Sequence, residues 1–550
     1  MRSVPARAAL LGALFAALVT LPGLGIGTLW DNSETAYGEV AREILLTHDW
    51  VVMHLNGQPW FVQPPLYFWI AAALAKAFGV TAFALRLPSA LATIAMGGAV
   101  GYATARIAGG RAGMVAAIVL STSLMQAIVG RLAIMDALLD FAIAAAVLWW
   151  YRAFEPSGSV HRRDTAFVCG ALALAVGTLA KGPVAPVIAV LVIGAWAWWE
   201  RRAGRIAAPS LRAAIVALIA YVAVTLPWFV ALGARVGPGA IGELIGHYTV
   251  GRYTGVIENQ RGPFWYYVPV VILGFFPWIA FVPAALAAAL REARRPDGAF
   301  ARFALAWTIV PFVFFSFAST KLPNYVALML PALAILVALW FERVRAGADH
   351  RAALVSAATI PVFIGCVGVA MAIFSHTNKL DVDLPALMPP LLFLGVAMLI
   401  GSLLTVTAVA RPSTAAWSPY VLAVTSGALV LFIAIVAEPI AEPLKPIPPI
   451  ARTIDVQRRA RDIVGVHGVS GGNALVFYTA PPVLDVARNA DFVAAICPGG
   501  AAWVVASPVE AERLATIARA RGRTAEITDA APPAHPKAAL IHVYGAPCRT

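Results

Sequence analysis

Charge is scarce in this sequence. Only 13% of its 550 residues are Asp, Glu, Lys or Arg, where a soluble protein carries about 25%, so an ordinary cytosolic enzyme is excluded. Cysteine is scarce too: Cys169, Cys366, Cys497 and Cys548 show no CxxC spacing, and neither a thiolate zinc site nor a disulfide framework is written in them. There is no GxxxxGK[ST] and no convincing GxGxxG, so a nucleotide is not the expected donor in a group transfer. No HExxH or dense His/Cys cluster argues for a catalytic metal. A repeat between the two halves of the apolar region is also missing, which weighs against a transporter built from paired halves.

What the chain has is apolar length. Hydrophobic residues make up 60% of it and the mean hydropathy is +0.79. Thirteen apolar runs of bilayer-crossing length fall near 8–28, 85–105, 112–130, 133–151, 165–180, 184–199, 211–233, 265–289, 303–318, 323–341, 352–374, 386–409 and 419–437. They predict a polytopic α-helical membrane protein. The first run follows Arg2 and Arg7 and exceeds the apolar core of a signal peptide, so it reads as a retained helix.

The net charge of +13 would suggest nucleic acid in a soluble protein. Here most of it is topological. Arg106, Arg111, Arg152, Arg162, Arg163, Arg201, Arg202, Arg205, Arg212, Arg291, Arg294, Arg295, Arg302, Arg343, Arg345, Arg351 and Arg411 fall in alternate connections, which the positive-inside rule makes cytoplasmic. The opposite connections include two long ones, 29–84 and 234–264, and an odd number of spans puts the C-terminal part on that same outer side. Nucleic acid is therefore not an expected partner. The expected division is a membrane domain over 1–437, a Pro-rich linker over 438–450 that spaces the next unit off the membrane, and a small α/β domain over 451–550. Within the last, patterning predicts a helix at 452–466, a strand at 474–478, a short helix at 481–488, a strand at 502–506, a helix at 508–521 capped by Ser507, and strands at 524–528 and 539–544. Cys497 and Cys548 both lie there, where one disulfide and two free thiols fit equally.

Charges near bilayer depth are costly, so those at the outer ends of spans are the candidates for chemistry. Asp31 and Glu34 open a stretch in which Tyr37, Val40, Ala41, Ile44 and Leu45 recur at helical spacing, which predicts an amphipathic helix on the membrane surface. Either the two acids complement its dipole or they form a site. Asn56-Gly57 marks a turn, and Gln63-Pro64-Pro65 an extended return to the bilayer. Arg131 and Asp136, with Asp140 one turn further, stand at another outer mouth as a site or a structural pair. Lys181 and Lys321 sit in two further outer turns; they either snorkel or line one cavity suited to a phosphate. His247, Arg252 and Arg261 in the loop 234–264 join that basic lining or are solvated.

Taken in order, Glu34-x-x-Tyr37 with Ala41-Arg-Glu43, Asn56-Gly57, Pro64-Pro-Leu66, Arg131-x4-Asp136, Leu179-Ala-Lys-Gly-Pro183, Pro227-Trp228, Pro277-Trp278 and Lys321-Leu-Pro-x-Tyr325 resemble the ArnT-type aminoarabinose lipid A transferases, GT-C glycosyltransferases related more distantly to protein O-mannosyltransferases. The resemblance covers about residues 20–340. It implies transfer of a sugar from an undecaprenyl-phosphate-type carrier to a lipid or glycolipid acceptor such as lipid A, by a monomer whose site faces the periplasm of the inner membrane. It further implies that Glu34 is the first-choice catalytic carboxylate, with Asp31 and Asp136 as supporting acids. Arg131, Lys181, Lys321, Tyr325, Tyr37, Gln63, His247 and Arg252 are the expected donor-phosphate and lipid contacts.

Two positions depart from the family pattern. Ser33-Glu34 stands where members usually have Asp-Glu, and Val62-Gln63 where they often have Glu-Lys. Losing that lysine removes a cation beside the donor phosphate, so either Arg131, Lys181 or His247 replaces it or the sugar and acceptor differ. No cofactor is required by this chemistry; a divalent ion such as zinc or magnesium enters only if Asp31, Glu34, Asp136 and His247 converge. A polyprenyl-lipid flippase is the alternative from another class.

Overall fold

The computed structural model describes residues 3–30, 33–201, 205–257, 260–375, 384–469, 472–479, 482–528 and 538–548. Each of the thirteen expected spans is largely helical. Among the described residues nine are long and apolar enough to cross a bilayer, and a tenth crossing is a pair, Phe264–Gly274 and Trp278–Ala293, bent by 109° where one straight span was expected. The remaining three are short, broken or charged. Val4–Thr20 stops eight residues early, where Pro22 and the left-handed Gly23 and Gly27 turn the chain. The run at 112–130 divides at Ser123, whose extended backbone separates Gly110–Thr122 from Leu124–Val129. Asp136–Ala153 carries Asp136, Asp140 and Arg152.

Small residues let the first helices approach closely, the usual basis of helix packing in a bilayer. A Cβ on Gly12 would stand 2.7 Å from Ala117 Cβ and 3.2 Å from the Gly97 carbonyl, so Val4–Thr20 lies directly against Ala82–Ala108 and Gly110–Thr122. At another end of the bundle Arg302, read above as a loop arginine, is buried inside the helix Ala299–Phe317. It forms an ion pair with buried Glu200 and donates to the carbonyls of Ala293 at 2.7 Å and Arg295 at 2.8 Å. A buried guanidinium is kept only with its donors used.

The expected surface helix forms over Ser33–Thr47, but it is covered on more than one side. Tyr37 packs edge-on against Trp60, Tyr67 and Phe68. The last two belong to Leu66–Phe78, a short apolar helix absent from the sequence reading. Between them the chain turns through a hairpin of two-residue strands, β1 (His54–Leu55) and β2 (Gln58–Pro59). Another side receives the C-terminal domain: Arg42 donates to the carbonyls of Val476 and Phe477, both at 3.3 Å, and Leu29 N–H to Tyr478 Oη at 2.7 Å. Asn56 exchanges two hydrogen bonds with the Val483 backbone, at 2.7 and 2.9 Å. Glu39, on the same helix, is fully buried, and burial pushes it up to about 7 although Arg42, 2.6 Å away, pulls it down.

The Pro-rich stretch is not a spacer. Glu438–Ala441, Glu442–Leu444 and Ile447–Gln457 are short helices with proline in their first turns, where its missing N–H costs nothing. Buried Lys445 binds Glu438 at 2.8 Å, Glu442 at 3.0 Å and the Thr28 carbonyl at 2.9 Å. The domain beyond has a sheet of β3 (Ile463–His467), β4 (Val483–Asp485), β5 (Ala502–Ala506), β6 (Thr524–Thr528) and β7 (Ala539–Tyr544), ordered β4-β3-β5-β7-β6, with β7 antiparallel to both neighbours. Three local expectations fail. The helix expected at 452–466 ends at Gln457, and its last residues form β3; 474–478 is helical, and Val483–Asp485, within the helix expected at 481–488, form β4. Leu475 and Val476 pack beside Ile450 and Ile454, and this tertiary layer overrides their strand propensity.

Cys497 and Cys548 form a disulfide across 51 residues of sequence. Replacing both by serine is expected to destabilise this domain by about 2–4 kcal/mol, measured as earlier thermal onset of proteolysis within 451–550; an unchanged onset would show the bridge to be dispensable.

Candidate active site

A cavity of about 370 Å³ opens between the ends of the helices Asp136–Ala153, Val160–Lys181, Val184–Arg201 and Ala299–Phe317 and the loop 234–264. Its walls are largely apolar, with Leu139, Val184, Val187, Phe314, Phe315 and Leu328 among them. Its polar side chains gather from separate elements. Asp136 begins its helix, Lys181 ends the following one at the left-handed Gly182, and Asn324 and Tyr325 come from the 3-10 turn Pro323–Met329. Gln63, Asp140, Tyr248, Thr249, Arg252 and Tyr253 add further polar side chains to the lining.

Asp136 organises this end. Its Oδ1 accepts from Lys181 Nζ at 2.5 Å and from Asn324 Nδ2 at 2.6 Å, so both bonds fall on one oxygen. The Lys181 ammonium also lies 5.3 Å from the centre of the Tyr325 ring, a cation–π contact. The ring in turn packs against Phe315 at 4.9 Å. The helix N-terminus adds a fixed partial positive charge beside Asp136. Arg252 lies 5.7 Å over the Tyr248 ring, and both line the cavity.

Of the eleven residues expected here, Asp136, Lys181, Tyr325, Gln63 and Arg252 share the cavity. Tyr37 belongs to the aromatic cluster of the surface helix. Glu34 is elsewhere in the frame, 2% exposed and not in the cavity wall. Both its oxygens bind Arg86 at 3.0 Å, and they also accept from Trp30 N–H at 2.8 Å and Ala133 N–H at 2.6 Å. Four donors leave this carboxylate no room to take a proton from a substrate.

Two basic residues are similarly engaged. Arg131 donates to the carbonyls of Val19 at 3.1 Å and of Thr20 and Pro22, both at 2.6 Å, closing the end of the first helix; burial and neighbouring Arg86 push it down to about 10. Lys321 binds the carbonyls of Phe315 at 3.0 Å and Ser316 at 2.6 Å at the end of Ala299–Phe317. Unsatisfied carbonyls of helix ends attract such cations. His247 packs against Tyr248 outside the cavity lining, and Asp31 lies outside the described residues. Among the described residues no three His, Cys, Asp or Glu side chains gather as a metal site, and Glu34, Asp136 and His247 do not converge.

Sequence reasoning missed Arg86 and Asn324. Arg86 lies inside an apolar run, and only its charge at bilayer depth could have marked it. Asn324 was the unspecified position of Lys321-Leu-Pro-x-Tyr325.

The family model for dolichyl-phosphate-mannose-protein mannosyltransferases matches residues 62–228. Two curated relatives are undecaprenyl phosphate-alpha-4-amino-4-deoxy-L-arabinose arabinosyl transferases. That of Erwinia tasmaniensis is 31% identical over 60% of this chain and 59% of its own length; that of Serratia proteamaculans is 32% identical over 62% and 60%. The chain thus matches about three fifths of the length of these relatives. The crystal structure of ArnT from Cupriavidus metallidurans bound to undecaprenyl phosphate superposes with a TM-score of 0.80, covering 97% of each chain at 21% identity. The chain has the ArnT-like GT-C fold. The ArnT-like architecture accounts for the number of spans and the C-terminal α/β unit together, because the superposition covers both. It also makes the chain a multi-pass membrane protein. Within the sequence-matched region, the mannosyltransferase model reaches Gln63, Asp136 and Lys181, three of the cavity residues.

Proposed function

We propose that this ArnT-like chain is a membrane glycosyltransferase that moves a sugar from an undecaprenyl-phosphate-type lipid to an acceptor such as lipid A, at the periplasmic face of the bacterial inner membrane. The observation that carries this is the Asp136–Lys181–Asn324 cluster at the polar end of an apolar-walled cavity. A polyprenyl phosphate needs that combination: an apolar surface continuous with the bilayer for its tail, and cations where the tail ends. The curated relatives' names point the same way, and 4-amino-4-deoxy-L-arabinose is the first sugar to test.

In the reaction an acceptor oxygen forms a bond to the anomeric carbon while the bond from that carbon to the phosphate oxygen breaks, and the electron pair leaves with the polyprenyl phosphate. Lys181 and Arg252 stabilise that developing charge. Asp136 uses Oδ1 for Lys181 and Asn324, so Oδ2 is the oxygen assigned to the acceptor, taking the proton of a hydroxyl or orienting it. An acceptor phosphate arrives already ionised, and there positioning alone is needed. Glu34 holds the frame instead: through Arg86 and Ala133 it joins the first loop to the turn that leads into Asp136.

The test is a reconstituted assay with a panel of undecaprenyl-phosphate sugars. Donor consumption and a glycosylated acceptor are expected; labelled lipid crossing the bilayer with no sugar transferred would favour a flippase. In the same assay Gln63→Lys restores a cation at the cavity wall and is expected to lower the KM for the lipid donor about fivefold, the equivalent of roughly 1 kcal/mol. An unchanged KM would remove Gln63 from the donor contacts.

A further inference from the structure

One carboxylate in the cavity is not used by the pairing described above. Asp140 follows Asp136 by four residues on the same helix, is 2% exposed, and lines the cavity. Residues at that spacing share a helix face, and Asp140 lies about 6 Å further along the axis. Its Oδ2 is closed to solvent and has no hydrogen-bond partner among the described residues. Lys181 and Asn324 both bond to Asp136 instead. The neighbouring wall is apolar, with Leu139, Val184 and Val187. Buried polar groups without partners are rare in folded proteins, and ionisable groups kept at bilayer depth tend to mark the path of a ligand.

We propose that Asp140 is a specificity-determining residue that receives a protonated amine on the donor sugar. The inference rests on reading this cavity as the donor site. A pentose with a phosphate at its anomeric carbon and an ammonium group on its ring carries opposite charges a few bonds apart. The cavity presents the complement: Lys181 and Arg252 for the phosphate, Asp140 for the amine. A hydroxyl in place of the amine offers a hydrogen bond but no opposite charge to pair with the carboxylate. The cavity therefore selects a cationic sugar over its neutral counterpart.

The experiment uses the full chain in nanodiscs and two undecaprenyl-phosphate pentoses, one with a 4-amine and one with a 4-hydroxyl, competing against a labelled undecaprenyl phosphate. At pH 7 the wild type is expected to bind the amine donor about 30-fold more tightly, within the range for hydrogen bonds to charged groups. Asp140→Asn is expected to reduce that preference to within about threefold while its affinity for the hydroxyl donor, which also reports folding, stays unchanged. Asp140→Glu should recover most of the preference. Equal affinity of the wild type for both donors overturns the inference, as does an undiminished preference in Asp140→Asn. Parallel loss of both donors in both variants assigns a structural role and overturns it too. Sugar transfer is measured separately: amine preference without transfer to any acceptor would refute the glycosyltransferase reading and leave amine recognition standing.

Discussion

Asp136→Asn is expected to lower the kcat of sugar transfer by about 10²- to 10³-fold, the range for loss of a group acting on a proton in the transition state, with no rise in the KM for the lipid donor. The substitution keeps the shape and a hydrogen-bonding oxygen for Lys181 and Asn324. It removes the charge that competes with the donor phosphate for the Lys181 ammonium, 2.5 Å from Oδ1. Donor binding should therefore hold or improve while the chemical step fails. Single-turnover rates with a hydroxyl acceptor are the measurement. A kcat within threefold of wild type, or a loss confined to KM, would move Asp136 from the acceptor to the donor side.

Glu34→Gln tests the other half of the arrangement. It leaves the Arg86 guanidinium, in contact at 3.0 Å and buried, without an anionic partner. Breaking a buried pair from one side costs about 3–5 kcal/mol. The expected result is a thermal unfolding midpoint several degrees lower in detergent, with Arg86→Gln producing a comparable loss. Activity should fall with the folded fraction. If Glu34→Gln instead keeps its midpoint and loses turnover, Glu34 regains the catalytic role that the family resemblance implies.

The difference between those two acids explains how much of the site could be read in advance. Asp136 stands at the mouth of a span, directly after Arg131-Leu-Ala-Ile-Met135, and that placement alone made it a candidate. Glu34 was equally visible, but its partner at Arg86 is 52 residues away and inside an apolar run. Arg131 and Lys321 looked like unattached cations because a sequence does not show which helix-end carbonyls lack donors; both are held by such carbonyls. The spans were legible from apolar length, since a bilayer imposes that pattern on every crossing segment. The 109° bend at Pro277 and the break at Ser123 were not, because both depend on packing between helices. The small domain was least legible locally: Gly472–Tyr478 carries strand-forming residues, yet its environment makes it a helix.

The contacts between the first loop and the C-terminal unit also have a consequence in time. Asn56 and Val483 are 427 residues apart in the chain, and at synthesis rates of about 5–20 residues per second the second emerges roughly 20–85 s after the first. Until then Arg42 has no carbonyls of Val476 and Phe477 to hold it, and Leu29 has no Tyr478. The cavity depends on none of those late residues for its walls, so the bundle can close around it first. Assembly of this protein therefore ends at the first loop, where the chain began to leave the membrane, and a nascent chain stalled before residue 476 would hold a finished cavity under an unfinished roof.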